Sequence, residues 1–273
     1  MKKREIDSFQ KKVLTHFRTH GRSLPWRETC DPYRILLSEI MLQQTQVERV
    51  LSYYTRFLKA FPTVKKLAVA PLREVLVLWQ GLGYNRRAKY LHDAAIVVSK
   101  NKEGFPKDSQ GLRALPGVGP YTASAVAAFA YGAPEILIET NIRTVYLHHF
   151  FAEKKDVSDT DILPLIRETI YTKDPRTWYY ALMDYGAHLK STLPNPSRRS
   201  AHHKKQAAFK GSNRELRGAI LRYLASQKSL SKAGLFKKLL PLGRSTAEID
   251  DTLEALSREG LVRVSRGSIA LAS

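Results

Sequence analysis

The sequence predicts an all-α protein that ends in a small module of three helices and a β-hairpin. Three observations predict it. Apolar residues recur at helical spacing through the first two hundred residues, where strand-like alternation is scarce. The helical stretches are short, numerous and separated by short loops rich in Pro and Gly, the pattern of packed helices. The last sixty residues then change character, with three helical stretches before an alternating run, LVRVSRGSIALAS, around Arg266-Gly267.

Taken in order, Ile6, Phe9, Val13 and Phe17 make residues 6–20 an amphipathic first helix, which Leu24-Pro25-Trp26-Arg27 breaks. From Pro32 to Gln44 a second helix is apolar almost all round, so it belongs inside a domain. Glu39 stands in it, where a carboxylate must be paired, protonated or functional. Helices are expected next at 47–61, 64–67, 71–79 and 85–100, with the turn Gly81-Leu82-Gly83-Tyr84 before the last. Others follow at 140–151, 162–170 and 178–189.

The chain is organised around residues 115–139, LPGVGPYTASAVAAFAYGAPEILIE. Gly117 and Gly119 flank Val118 in a hairpin that follows Leu115-Pro116, and Pro120 suits the first turn of a new helix because it has no N–H to leave unpaired. Helix, glycine hairpin and helix point free amides outward with a positive dipole end behind them, an arrangement that suits a phosphate. An ordinary turn between helices, with glycines serving only as caps, fits the same residues.

Composition narrows the partners. A chain of 273 residues, 43% hydrophobic and 10% aromatic, can bury a substantial core. Its formal net charge of +20 points to nucleic acid, since neutralising phosphates drives binding through counterion release. No basic amphipathic anchor and no membrane-length apolar run is evident, and MKKREIDSFQKK lacks a signal-peptide core. The expected location is the cytoplasm, in contact with the nucleoid, with no membrane partner. The single cysteine, Cys30, excludes an intramolecular disulfide and any all-cysteine metal site within one chain.

Residues 190–217 are strongly basic, with Arg198, Arg199, Lys204 and Lys205 among their cations; they read as a solvated linker, a phosphate-contacting arm, or both. The expected organisation is a helical domain over 1–190, a basic arm over 191–213 and the last module over 214–273. Helices are expected there at 214–226, 232–239 and 246–259, and with the hairpin they resemble a winged-helix domain. In many such domains the third helix enters the major groove. Here that helix carries Glu248, Asp250, Asp251 and Glu254, which phosphate would repel, so a packing or protein-contact role stands beside DNA binding.

Leu24-Pro25-Trp26-Arg27, Asp31-Pro32-Tyr33, the run Ser38 to Val47 (SEIMLQQTQV), Trp79-Gln80-Gly81-Leu82-Gly83-Tyr84 and Leu115-Pro116-Gly117-Val118-Gly119 together resemble the helix-hairpin-helix DNA glycosylases. The match spans about residues 5–190 and is nearest to MutY-like adenine glycosylases, which act on adenine opposite guanine or oxidised guanine. The resemblance implies a two-lobed all-α fold, double-stranded DNA with a mismatched or damaged base as partner, and a flipped-out target nucleotide. Flipping is also demanded by the chemistry, because a glycosidic bond inside a stacked duplex cannot be reached.

By that resemblance Glu39 is the acid that protonates the departing purine, a role suited to a partly desolvated glutamate of raised pKa. Tyr121 falls where bifunctional relatives place a Schiff-base lysine, and no lysine lies between Lys107 and Lys154; a monofunctional glycosylase without lyase activity is implied. Glu139 replaces the family aspartate that stabilises the sugar cation, one methylene longer but with its charge kept. Trp26, Arg27, Leu42 and Asp184 are implied for the base pocket. Gln44 and Tyr84 are implied beside the flipped base, where a wedge offsets lost stacking, and Pro116 to Gly119 on the phosphates.

Two departures stand out. The four cysteines that hold an iron–sulfur cluster in most MutY-like enzymes have no counterpart here, so no cofactor and no metal is expected. The domain that reads oxidised guanine is replaced by the winged-helix-like module. A monomer is expected. The competing readings are a mismatch thymine or uracil glycosylase, against which Glu39 counts, a non-catalytic DNA binder that retains the fold, and a transcription factor led by its winged helix.

Overall fold

The computed structural model describes residues 1–203, 208–265 and 267–273. Its helices are α1 (Lys3–His20), α2 (Pro32–Leu42), α3 (Val47–Ala60), α4 (Val64–Ala68), α5 (Leu72–Trp79), α6 (Arg86–Lys100), α7 (Ser109–Arg113) and α8 (Pro120–Tyr131). There follow α9 (Thr140–Phe150), α10 (Asp159–Thr169), α11 (Pro175–Thr192), α12 (Asn213–Ala225), α13 (Lys232–Leu239) and α14 (Thr246–Arg258). Side-chain caps set many of the starts. Asp108, Ser158, Asp174, Ser212 and Ser245 each accept a backbone amide in the first turn of the helix that follows.

The chain divides into two compact units that interleave in sequence. One comprises Met1–Glu39, Phe105–Ala114 and Val118–Lys205; the other comprises Ile40–Gly104, Leu115–Gly117 and Gln206–Ser273. Helix α2 and the glycine hairpin carry the chain from one unit to the other.

The first unit is built on α1, α8, α9, α10 and α11. Phe9 meets Tyr146 and Trp178 edge-on, with ring centroids 5.6 and 5.8 Å apart. Helix α11 lies against α9 so closely that a Cβ at Gly186 would come 2.1 Å from the Asn141 carbonyl oxygen. Only glycine fits there, and the approach matters because both helices carry site residues.

The second unit packs α3 to α6 around Phe57, Trp79, Val75 and Leu76, all buried. The C-terminal module belongs to this unit. Its sheet has the order β1-β3-β2, all antiparallel, with β1 (Leu230–Ser231), β2 (Val262–Ser265) and β3 (Ser268–Leu271). The hairpin pairs Val264 with Ile269 and Val262 with Leu271. Arg266, at the expected turn, lies outside the described residues. Strand β1 is an addition: two residues give no readable alternation, and only the neighbouring β3 makes them a strand.

The segment after α11 differs from a free basic arm. Pro196–Arg199 form a short 3-10 turn, and Val157 pairs with Ser200. Arg199, expected on phosphate, instead turns inward and donates to the carbonyls of Leu147 (2.9 Å) and Ala152 near the end of α9. Those carbonyls lack helical partners and a cation suits that end of the dipole. Arg198 is exposed. Lys204 and Lys205 lie outside the described residues.

Gly186→Ala should therefore destabilise the protein by about 1–3 kcal/mol, because overpacking outweighs the roughly 1 kcal/mol that alanine gains over glycine in a helix. A lowered melting temperature in circular dichroism is expected; an unchanged or raised one would mean that α9 and α11 are not held this close.

Candidate active site

The residues on α2 just before Glu39, namely Ile35, Leu36, Leu37 and Ser38, are buried, whereas Glu39 stays partly accessible. Tyr121 in the first turn of α8 and Glu139 at the cap of α9 are likewise half-buried. The three lie in the first unit and come together. Tyr121 lies within electrostatic reach of both carboxyls, close enough to Glu39 for its hydroxyl to lower that group's pKa. The charge of Glu139 reaches Glu39.

Burial pushes the Glu39 carboxyl up to about 8, and the Glu139 charge reinforces the shift; the Tyr121 hydrogen bond and the Arg27 charge oppose it. Burial also holds the Tyr121 phenol well above its ordinary value, with both glutamates adding to the effect, so the hydroxyl is a neutral donor.

Glu139 is raised by burial too, which outweighs the groups that favour its anion. Its Oε1 accepts the backbone amides of Asn141 and Ile142, both at 2.8 Å, and Oε2 accepts Asn141 Nδ2 at 3.3 Å. The charges of Lys190 and Arg143 act in the same direction. A carboxylate capping a helix N-terminus is also favoured by the dipole. The two carboxyls titrate as a coupled pair, both raised by burial. These three hydrogen bonds hold the Glu139 carboxyl at the cap.

Arg27 and Trp26 sit in a 3-10 turn, Pro25–Arg27, with Trp26 buried. The Arg27 guanidinium lies 4.6 Å from the centre of the Tyr180 ring, which stacks at 4.5 Å on Phe129. Asp184 is 4% exposed, and both its oxygens are taken. Arg27 grips them bidentately at 2.7 and 2.8 Å, and Arg22 adds its backbone amide and Nε, both at 2.8 Å. Burial would raise the Asp184 carboxyl, but Arg27 and Arg22 outweigh it and hold it below the usual range. Asp184 therefore holds Arg27 in place and offers no free oxygen to a base. Arg27 Nε and Asn141 Oδ1 are buried without a hydrogen-bond partner among the described residues.

Leu42, three residues after Glu39 on α2, is half-buried and belongs to the second unit, as do Gln44 and Tyr84. Gln44 and Tyr84 share a feature the sequence does not show: both have left-handed backbones, φ 54° and 47°. Such conformations are uncommon for residues other than glycine and persist only where the surroundings impose them. Arg87, 8% exposed, supplies the constraint. Its guanidinium donates to the carbonyls of Ile40 (2.8 Å), Met41 (3.1 Å) and Gln43 (2.5 Å) on one side, and Leu82 (3.2 Å) and Gly83 (3.1 Å) on the other. One buried cation thus ties the Gln44 turn to the Tyr84 turn and ends α2 at Leu42, two residues short of the expected end. Burial lowers its pKa to about 10.

In the hairpin, Gly117 has φ +71°, and a Cβ there would meet Tyr90 Cβ at 2.4 Å. Val118 is buried, while Gly119, the cap of α8, is exposed with open space where a side chain would be. Pro116 is half-buried. Sequence reasoning missed Arg87, Tyr180, Lys190 and Arg143. Arg87 follows Arg86 directly, and only burial distinguishes them. An iron–sulfur cluster needs four thiolates; the chain has Cys30 alone, exposed before α2, so its residues do not fit one.

The chain is similar to several known proteins. A family model described as HhH-GPD superfamily base excision DNA repair protein matches residues 37–163. The adenine DNA glycosylase of Mycobacterium tuberculosis is 35% identical over a 289-residue alignment covering 95% of this chain and 92% of that protein. That of Buchnera aphidicola is 34% identical over 185 residues, covering 66% of this chain and 52% of its own length. The chain thus spans about half of the second relative and nearly all of the first. Among solved structures, a thermostable thymine-DNA glycosylase superposes with a TM-score of 0.59 and 27% identity, covering 67% of this chain and 87% of that one. Endonuclease III trapped on DNA superposes with a TM-score of 0.53 at 19% identity, covering 78% and 92%, a likeness of fold alone. With a relative of this identity matched along nearly its whole length, the chain belongs to the HhH-GPD superfamily of base excision DNA repair proteins, on the adenine DNA glycosylase branch.

Proposed function

We propose that the protein is a monofunctional adenine DNA glycosylase, acting as a monomer on adenine opposite guanine or oxidised guanine in duplex DNA. The observation that carries this reading is the Glu39–Tyr121–Glu139 cluster, in which burial and a second carboxyl push the Glu39 carboxyl up to about 8. The target nucleotide leaves the stack to reach it. Glu39 gives its proton to N7 of the adenine, which otherwise departs poorly as an anion. Glu139, ionised at its helix cap, stabilises the positive charge developing on the sugar. Tyr121 orients Glu39. Tyrosine at position 121 forms no Schiff base, which supports hydrolysis to an abasic site without strand cleavage.

A second reading is a mismatch thymine or uracil glycosylase, favoured by the likeness to the thymine-DNA glycosylase structure. It leaves a purine-directed acid at Glu39 without a purpose. One screen separates the two. Duplexes with A opposite G, A opposite oxidised G, T opposite G, U opposite G and hypoxanthine opposite T are incubated with the full chain and treated with or without alkali. Release of adenine, with cleavage only after alkali, is expected; release of pyrimidines alone would sink the adenine assignment. Borohydride should trap no covalent adduct, and an adduct lost in Lys190→Ala would identify a lyase amine that position 121 does not supply.

Glu39→Gln should lower single-turnover base release by at least about a hundredfold with duplex affinity unchanged. The wild-type rate should fall as pH rises through about 8, as the acid deprotonates. The sign for stability is the same. Because the folded value lies above the unfolded one, the contribution is full below about 4.5 and lost as pH rises through about 8. Glu39→Gln should consequently melt higher than wild type at pH 8, while equal rates would end the acid assignment. For Glu139, the Gln variant keeps a capping oxygen but loses the charge. It should lose activity well beyond Glu139→Asp, which retains the charge; equal losses would mean that reach, not charge, is what position 139 supplies.

A further inference from the structure

His16 and His20 of α1, Arg22 just beyond it, and Asp184, His188 and Ser191 of α11 line a cavity of about 250 Å³ in the first unit. Positions 16 and 20 are four apart on α1, as 184 and 188 are on α11, so each pair shares one helix face. The His16 ring centre stands 4.9 Å from that of His20 and 4.8 Å from that of His188; the last two are 6.3 Å apart. Both nitrogens of His16 are buried and lack a hydrogen-bond partner among the described residues. Buried polar atoms are nearly always paired, so an imidazole with neither nitrogen satisfied calls for a ligand. Asp184 does not meet that need, because Arg22 and Arg27 hold its oxygens. Thr19 Oγ1 lies 2.7 Å from Nδ1 of His20, which leaves Nε2 of that ring for a ligand.

We propose that His16, His20 and His188 form a binding site for one divalent transition-metal ion of the zinc class. Neutral imidazole nitrogen is a preferred donor for zinc, nickel and copper, and a poor one for magnesium or calcium. Three imidazoles on one tetrahedral ion, with nitrogens about 2.1 Å from it, have ring centres roughly 5 Å apart. Two of the three separations already match, and the third has only to shorten. As the rings are turned, no three donors converge among the described residues, and His16 and His20 stack at 18°. Binding therefore requires the rings to rotate between staggered side-chain wells, which His20 and His188, both exposed, are free to do. Water takes the fourth position. The ion ties α1 to α11, and the site does not rest on the glycosylase reading.

The test uses the full chain without an affinity tag, stripped with chelator and titrated calorimetrically with zinc chloride and, separately, magnesium chloride. One zinc ion per chain and no heat from magnesium are expected. His16→Ala, His20→Ala and His188→Ala should each weaken zinc binding at least about tenfold, and the triple variant should abolish it. Cobalt(II) should give the visible absorption of tetrahedral nitrogen coordination, lost in the same variants. Zinc should raise the melting temperature of the wild type but not of His188→Ala. His20 and His188 are exposed, so their variants keep the test sharp even if His16→Ala folds poorly, which circular dichroism would show. Undiminished zinc affinity in the triple variant would assign the ion to other residues and overturn the proposal. Binding untouched by His188→Ala would also overturn it, by marking a pair on α1 alone, and so would a wild type that takes up no zinc.

Discussion

The removal of the Glu39 carboxyl from water, within reach of a second carboxyl, is the constraint on which the rest of the structure depends. Two forces raise Glu39: its removal from water and the charge of Glu139. Neither would act if α2 lay on the surface, so the apolar wrapping of that helix is as much a part of the chemistry as the carboxyl. Helix starts complete the arrangement. Tyr121 follows the hairpin glycines by two residues, and Glu139 caps α9, so both groups stand where free amides and a positive dipole end already favour negative charge. The glycine hairpin and the Tyr121 hydroxyl belong to consecutive parts of one turn.

The basic charge of this DNA glycosylase is less uniform in purpose than its total suggests. Arg27 is held by Asp184, Arg87 by a ring of carbonyls, Arg199 by the end of α9 and Arg73 by the end of α12. Arg176 donates to the carbonyls of Arg27 (2.9 Å) and Thr29 and to the Cys30 sulfur. Guanidinium suits these positions because its planar fork of donors satisfies several carbonyls at once. These arginines are internal fasteners, and counting them as phosphate contacts would overstate the salt dependence of binding.

Strain follows the same logic. Gln44 and Tyr84 occupy backbone conformations that their residue types disfavour, and the cost is met by the many bonds that Arg87 makes to the two turns. Side chains expected to enter a base stack are thereby fixed before DNA arrives, which spares the ordering cost at binding.

Much of this was legible in the residues. Periodicity and breakers located nearly every helix to within a few positions, because burying an apolar stripe leaves a repeating mark. Glu39 declared itself as a charge inside an otherwise apolar helix. The hairpin was visible because its backbone requires glycine. Tertiary structure alone decided the rest. Nothing local separates Arg87 from Arg86, or tells that Arg199 faces inward. Asp184 reads as a pocket acid until two arginines from far along the chain occupy it. The two-residue strand β1 exists only through its partner. Sequence carries what depends on a residue and its near neighbours along the chain, whereas the state of a charge depends on which distant groups the fold brings within a few ångströms of it.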